Sequence, residues 1–96
     1  MDDFVYYNEL YDYYKELLTK KQRQYFEDYY FQNLSFSEMA LNYQVSRNAV
    51  FRQIHIVTNK LKEYEDKLKL KEKKDKIMKV LENSPKEIKE RVEDLF

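Results

Sequence analysis

The side chains best suited to binding chemistry follow one another over residues 46–60. Arg47 and Asn48 are types that form bidentate hydrogen bonds with base edges, and Ser46 at a helix N-terminus suits a phosphate. If Val50 and Ile54 face inward, the other side chains of this helix face outward. The nucleic-acid-binding residues predicted on this basis are Ser46, Arg47, Asn48, Phe51, Arg52, His55 and Lys60, and Lys62 is a further candidate for a backbone contact.

Aromatic side chains offer a second kind of contact. An outward Phe51 leaves three interpretations open: contact with a thymine methyl, stacking on an RNA base, or packing on a protein partner. The N-terminal tyrosines follow a 3-4 spacing that favours core packing over base stacking. Tyr6 and Tyr13 lie off that stripe and are the better candidates for an exposed contact.

The sequence contains no recognisable catalytic or metal-binding set. His55 is the single histidine, there is no cysteine, and no paired carboxylates stand out. A lone histidine without such neighbours is a poor candidate for catalysis or for metal binding. We therefore predict no enzyme activity, no metal and no cofactor.

Charge is unevenly distributed although the chain is neutral overall. Residues 1–45 carry a net −4, whereas residues 46–79 carry a net +6. Neutrality argues against a protein that simply coats nucleic acid, but the basic stretch begins at the candidate binding helix. One face for an anionic partner is the favoured interpretation, and a solvated Lys/Glu helix is the alternative for residues 60–79.

A helix-turn-helix over about residues 35–57 is the element that would position these side chains. Ser35 with Glu38 forms a capping box that starts a first helix, and Ser46 can cap the second. Ala40 is small where the two helices should cross, and Val45 is expected to plug the corner. The unit presents its second helix to a nucleic-acid groove.

The turn of this motif lacks the usual glycine. Gln44 occupies the position that needs a left-handed backbone, at a cost of about 1 kcal/mol for a residue with a Cβ. The alternative is two ordinary bundle helices joined by a short loop.

The remaining pattern is helical throughout, since the chain has no glycine and one proline. Apolar spacing predicts a helix over 4–18, and Thr19 with Gln22 predicts a second, ending near Asn33. The motif helices span 36–43 and 47 onward, and no helix breaker appears before Ser84-Pro85, although the charged run 69–76 is the weakest part. Ser84, Pro85 and Glu87 form a third capping box, with Pro85 as the first helical residue, and Ile88, Val92, Leu95 and Phe96 lie on one face of a final helix.

The predicted class is therefore all-α, a helix-turn-helix domain with a long C-terminal helix. We divide it into a helix-turn-helix domain over 1–70 and a charged helical tail over 71–96. No apolar run is long enough to span a membrane and no signal peptide is recognisable, so a cytoplasmic protein without membrane contact is expected.

The long helix carries a heptad seam that must be covered. Its members step by four and three residues: Val50, Ile54, Val57, Leu61, Tyr64 and Leu68. Coverage by the first helix of the same chain is one solution. The favoured one is a homodimer through Leu61, Tyr64 and Leu68.

An ordered set of short motifs runs through residues 18–68. They are Leu18-Thr19-Lys20-Lys21-Gln22-Arg23, Tyr29-Tyr30, Leu34-Ser35 with Glu38 and Ala40, Val45-Ser46-Arg47 with Ala49-Val50-Phe51, and Lys60-Leu61 and Glu63-Tyr64-Glu65 with Lys67-Leu68. In this order they resemble the YlxM family, small bacterial proteins whose helix-turn-helix is similar to region 4 of sigma factors. Two positions depart from the family pattern: Gln44 replaces the turn glycine, and Arg52 stands where an acidic residue is common.

This resemblance implies a cytoplasmic regulatory or accessory protein of the signal recognition particle pathway. It also implies contact with the particle's RNA or with its GTPase subunit. Two rival interpretations stay open: a DNA-binding transcription regulator, and a protein-interaction module that keeps the motif as a scaffold.

Overall fold

The structure is a computed structural model that describes residues 3–82 and 85–95, and it contains no strand in those ranges. Six α-helices and one 3-10 turn account for most of the described chain, so the predicted all-α class is confirmed. The elements are α1 (Phe4–Tyr14), a 3-10 turn (Lys15–Leu17), α2 (Lys20–Tyr30), α3 (Phe36–Tyr43), α4 (Arg47–Leu68), α5 (Leu70–Val80) and α6 (Lys86–Glu93).

Helix α4 is the centre of the molecule, because α1, α2 and α3 all pack against it. Its buried face carries the first part of the seam, and the other three helices contribute mainly aromatic side chains. The buried apolar residues are Tyr7, Leu10, Tyr11, Tyr14, Leu18, Tyr25, Phe26, Tyr30, Met39, Val50, Ile54, Val57 and Leu61. The tyrosine stripe is thus core, as its spacing predicted.

Ring stacking joins α1 to α2 and α2 to α3. The ring centroids of Tyr11 and Phe26 lie 4.2 Å apart with nearly parallel planes, and those of Tyr25 and Tyr43 lie 4.4 Å apart. Buried tyrosines still need partners for their hydroxyl groups. The hydroxyl of Tyr11 donates to Glu27, so one residue supplies both apolar area and a hydrogen bond.

The first helix is shorter than predicted. Its α-helical part ends at Tyr14, and the chain continues as a 3-10 turn to Leu17. A 3-10 turn has three residues per turn, so it rotates the following side chains off the α-helical stripe. Leu17 is consequently exposed, while Leu18, in extended conformation, is buried.

The helix-turn-helix has the caps that the sequence predicts. Both hydrogen bonds of the capping box at Ser35 are present, as are both at Thr19. Gln44 has φ 56° and ψ 45°, so the left-handed turn forms without a glycine. Ala40 is half-buried and packs against the core.

The corner itself differs from the prediction. Val45 is 38% exposed, so the expectation that it plugs the corner is wrong. Its backbone N–H donates to the Ala40 carbonyl at 3.1 Å, so the contact of Val45 with α3 is made by the backbone. Met39 is instead the fully buried side chain of α3.

The predicted long C-terminal helix is broken at Lys69. Its φ of 54° and ψ of 34° end α4 at Leu68 and let α5 begin at Leu70. The expectation of an uninterrupted helix up to Ser84-Pro85 is therefore wrong, although the break falls at the first residue of the charged run named as the weakest part.

The Lys69 side chain does not cap the start of α5. Side chains of α1 and α4 cap it instead. The Glu65 carboxylate accepts from the backbone N–H groups of Lys71 and Glu72, each at 3.1 Å. The Tyr14 hydroxyl accepts from the Leu70 N–H at 3.1 Å and donates to Glu65 at 2.6 Å. The Lys69 N–H donates to the Glu65 carbonyl at 2.8 Å, so all four N–H groups that a helix start leaves open are satisfied by α1 and α4.

Helix α5 also contacts α1 through an ion pair, in which the Lys71 ammonium lies 3.0 Å from Glu9 and 2.6 Å from Asp75. These hydrogen bonds raise the pKa of Lys71 above its ordinary range. Whether 71–96 behaves as a tail separate from 1–70 stays a prediction.

Helix α6 begins one residue later than predicted. Pro85 has φ −53° and ψ 143°, which makes it the cap residue before the helix rather than its first residue. Ile88 and Leu95 are exposed, while Val92 is half-buried. Ser84, the predicted cap, and Phe96, predicted on the apolar face, lie outside the described residues. In the described ranges, no helix is long and apolar enough to cross a membrane.

Candidate nucleic-acid interface

The first two turns of α4 present a group of exposed side chains. Arg47, Asn48, Phe51 and Arg52 are all exposed, whereas Val50 between them is fully buried. The inward and outward faces assigned from the sequence are therefore as expected for these residues. Whether the outward residues bind nucleic acid stays a prediction.

Two of the four arginines have no acidic partner among the residues that the structure describes. Arg23 and Arg91 form ion pairs with glutamates, at 3.6 and 3.3 Å. Arg47 and Arg52 form none with any residue in 3–82 or 85–95. An exposed guanidinium without an intramolecular carboxylate keeps its full donor set available for an anionic ligand.

Ser46 has a structural role at the start of this helix. Its hydroxyl accepts from the Ala49 N–H at 3.0 Å, which is the N-cap hydrogen bond. The N–H groups of Arg47 and Asn48 belong to the same first turn, where no intrahelical acceptor exists. Together with the helix dipole they favour an anion at this end of α4.

An aromatic cleft lies beside this helix N-terminus. Its lining residues are Phe36, Arg47, Asn48 and Phe51, and its volume is about 320 Å³. The ring centroids of Phe36 and Phe51 lie 5.7 Å apart, with planes nearly perpendicular. Phe36 is absent from the predicted site. Its place as the first residue of α3 is readable from the sequence, but its contact with α4 depends on the crossing of the two helices.

The predicted binding residues farther along α4 are less exposed or lie farther from the cleft than Arg47 and Asn48. His55 is half-buried, with its ring 4.3 Å from that of Phe51. Lys60 is half-buried and lies about 20 Å along the α4 axis from Arg47. The ammonium of Lys62 lies 5.6 Å from the centre of the Tyr7 ring, and a hydrogen bond with Tyr7 raises the pKa of Lys62. The structure thus brings His55 to the cleft but not the two lysines.

The tyrosines proposed as exposed contacts are half-buried. The Tyr6 ring packs edge-on against Tyr7 at 5.4 Å, and loss of hydration there raises the pKa of Tyr6. The ammonium of Lys74, from α5, lies 5.9 Å from the Tyr13 ring. The expectation of exposed contacts at these two positions is wrong, because neighbouring helices cover them.

Residues of the predicted dimer seam are covered to different extents. Leu61 is fully buried in the core of the single chain. Tyr64 is half-buried, with its ring 6.0 Å from that of Tyr14 and its hydroxyl donating to the Leu17 carbonyl at 3.2 Å. Leu68 is 43% exposed. The N-terminal elements therefore cover two of the three positions, which is the intrachain solution left open by the sequence.

No cluster of three or more histidine, cysteine, aspartate or glutamate side chains that could hold a metal occurs in the described ranges. Glu65 and Glu72 lie close together, but Glu65 accepts the Glu72 backbone N–H as a helix cap and Glu72 forms an ion pair with Lys76. The described part of the chain shows no arrangement of a nucleophile with a base to which a reaction could be assigned.

A sequence model of the UPF0122 family, described as "Putative helix-turn-helix protein, YlxM / p13 like", matches residues 1–95. A UPF0122 protein of Shouchella clausii is 47% identical over 73 residues, which cover 76% of this chain and 67% of that protein. One from Oceanobacillus iheyensis is 45% identical over 75 residues, covering 78% and 71%. One from Fusobacterium nucleatum is 42% identical over 81 residues, covering 84% and 79%. With nearly its whole length matched, the chain belongs to the UPF0122 family of YlxM / p13-like helix-turn-helix proteins.

Proposed function

We propose that this protein is a non-enzymatic helix-turn-helix protein that binds nucleic acid in a regulatory or accessory role. The observation that carries the proposal is the pair Arg47 and Arg52, exposed on α4 and free of ion pairs within the described chain. Both lie near a helix N-terminus that already favours phosphate. The family's helix-turn-helix description supports the same class of activity.

The nucleic acid we propose first is the RNA of the signal recognition particle, with the particle's GTPase subunit as a possible protein partner. This choice rests on the resemblance to the YlxM family. A cytoplasmic location without membrane contact is part of the same proposal.

A DNA-binding transcription regulator is the second candidate. The geometry of the motif favours it, since a helix-turn-helix places its second helix in a major groove. A protein-interaction module, in which the motif serves only as a scaffold, is the third.

The test is binding measured by fluorescence anisotropy across a salt series. The probes are signal recognition particle RNA transcribed in vitro and a DNA duplex of unrelated sequence. Replacing both arginines (Arg47→Ala with Arg52→Ala) should lower affinity by at least about tenfold. Each lost phosphate contact should also reduce the salt slope by about 1.

The matched control removes the same charge elsewhere. Lys86 and Arg91 on α6 are exposed and form ion pairs within their helix, so Lys86→Ala with Arg91→Ala should leave binding nearly unchanged. An equal loss in both double variants would mean that net charge alone drives binding. A lack of binding to either probe at low salt, where phosphate contacts are strongest, would favour the protein-interaction module.

We also propose self-association, through a smaller surface than the predicted dimer seam of Leu61, Tyr64 and Leu68. Because Leu61 is buried in the monomer, a homodimer would have to use Leu68 and the exposed residues around it. Leu68→Lys should then convert the dimer to a monomer in sedimentation equilibrium. A wild-type protein that stays monomeric at high concentration would contradict the dimer.

A further inference from the structure

The aromatic cleft has an unusual composition for the surface of a small protein. The rings of Phe36 and Phe51 form its aromatic lining, and the side chains of Arg47 and Asn48 form its polar lining. Phe51 is 45% exposed although the core beneath α4 is well filled. A large ring left half in water, beside two polar side chains that have no partner in residues 3–82 and 85–95, is poorly explained by packing alone.

The cleft is held rigid from below. The Phe36 ring stacks on Tyr29 with centroids 4.9 Å apart, and Tyr29 stacks on Phe4 at 5.9 Å. On the opposite side, His55 packs edge-on against Phe51 at 4.3 Å. Four helices thus contribute to one row of rings, so the two cleft rings are fixed before any ligand arrives. A ligand that stacks there loses less free energy to ordering of the protein.

We propose that this cleft binds a single unstacked nucleobase, which extends the proposed function by naming the form of nucleic acid that is recognised. The base would pack against the rings of Phe36 and Phe51. Arg47 and Asn48 would donate hydrogen bonds to its edge or to the adjoining phosphate. The preferred substrate is then an RNA stem with a bulged or looped-out base rather than a fully paired duplex.

Two physical reasons favour this occupant over an apolar protein side chain. First, the cleft combines aromatic faces with a guanidinium and an amide, which are the groups that recognise a base by stacking and by hydrogen bonding. A purely apolar partner would leave Arg47 and Asn48 without hydrogen-bond partners on being covered. Second, the N-terminus of α4 provides a favourable potential for the phosphate that accompanies every base.

A paired base cannot use the cleft in this way. Inside a duplex both faces of a base are covered by its stacking neighbours, and only its edges reach the grooves. Recognition of single-stranded or extruded bases by aromatic rings is correspondingly common among RNA-binding proteins. The structure therefore predicts a preference that depends on an exposed base and not on sequence alone.

The experiment uses two RNA hairpins that differ only by one bulged 2-aminopurine, a fluorescent base whose emission falls when it stacks. The bulged hairpin should bind about 5- to 150-fold more tightly than the paired one, as expected for one base–aromatic stack. Binding should also quench the 2-aminopurine emission. Phe51→Leu should abolish both the preference and the quenching, while Phe51→Trp, which keeps a stacking face, should retain them.

Phe31→Leu is the matched control, because Phe31, the residue that follows α2, is 46% exposed and does not line the cleft. Phe31→Leu should change neither the preference for the bulged hairpin nor the quenching of the 2-aminopurine emission. Equal affinity for the two hairpins, with loss of binding in the Arg47→Ala and Arg52→Ala variant, would overturn the base cleft while leaving nucleic-acid binding intact. Absence of binding to either hairpin would overturn both proposals. If Phe51→Leu loses self-association but keeps its RNA affinity, the cleft makes a protein contact, and the proposal that it binds a nucleobase is overturned.

Discussion

Replacing Tyr14 with phenylalanine tests the joint between α4 and α5. The ring of Tyr14 is fully buried and would stay in place, so the substitution removes only the hydroxyl. That hydroxyl donates to Glu65 at 2.6 Å and accepts from the Leu70 N–H at 3.1 Å. Both hydrogen bonds are lost together.

The expected destabilisation follows from the charge and exposure of the two partners. A hydrogen bond to a charged group such as the Glu65 carboxylate contributes about 1.5–3 kcal/mol to the free energy of unfolding. Water can replace the lost contact at Leu70, because that residue is exposed. We therefore expect Tyr14→Phe to cost about 2 kcal/mol, which lowers the melting temperature by about 8–16 °C in a domain of this size.

Thermal unfolding followed by circular dichroism measures this difference. Tyr13→Phe is the control, because the Tyr13 hydroxyl forms no hydrogen bond within the described chain and its loss should cost less than about 0.5 kcal/mol. Amide exchange at Leu70 should also be faster in Tyr14→Phe than in the wild type. If the two phenylalanine variants melt at the same temperature, the Tyr14–Glu65 hydrogen bond does not hold the joint, and the reasoning is refuted.

Three further predictions concern packing, backbone strain and pH. Ala40→Leu should overpack the contact of α3 with α4 and cost about 1–3 kcal/mol in urea unfolding, and a fully stable variant would show that room exists there. Gln44→Gly should raise the melting temperature slightly, since it relieves a left-handed conformation that costs about 1 kcal/mol, and a lower melting temperature would refute this. Burial and the hydrogen bond to Glu65 raise the pKa of Tyr14 to about 12, and burial with carboxylate contacts also raises the pKa of Tyr11 and of Tyr43. Because these hydroxyls are held neutral in the folded state, their stabilisation is complete below pH 10 and should be lost progressively as pH rises above 10, with the Tyr14 contribution gone above about pH 12. Thermal melts at fixed salt would detect this loss.

Much of the fold could be predicted because its signals are local. The capping boxes at Thr19 and Ser35 depend on two side chains three residues apart, and both form as predicted. The buried face of α4 follows from the spacing of Val50 and Ile54. The left-handed Gln44 could be placed because a tight turn between two such helices requires that conformation.

The break at Lys69 could not be predicted in the same way. Local propensity favours a continuous helix there, since the sequence has no glycine or proline near it. What stabilises the break is Tyr14, which lies 56 residues before Leu70, together with Glu65 in the last turn of α4. Contacts across more than 50 residues leave no periodic signal in the sequence.

The candidate binding site also contains residues that the sequence predicts and residues that it does not. Exposure of Arg47, Asn48 and Arg52 follows from helix periodicity. The position of Phe36 in the cleft does not follow from helix periodicity, because it depends on the angle at which α3 crosses α4. Only its charge makes Lys60 a predicted binding residue, and its distance along the helix separates it from the cleft.

The central position of α4 has a consequence for how the chain folds while it is being made. Residue 14, at the end of α1, leaves the ribosome's catalytic centre about 3–10 s before residue 68, at the end of α4. During that interval the rings of Tyr11 and Phe26 can stack on each other, but the faces that later cover Ile54 and Leu61 have no partner. A nascent chain paused between α3 and the end of α4 should therefore be the form most prone to aggregate and most dependent on chaperones.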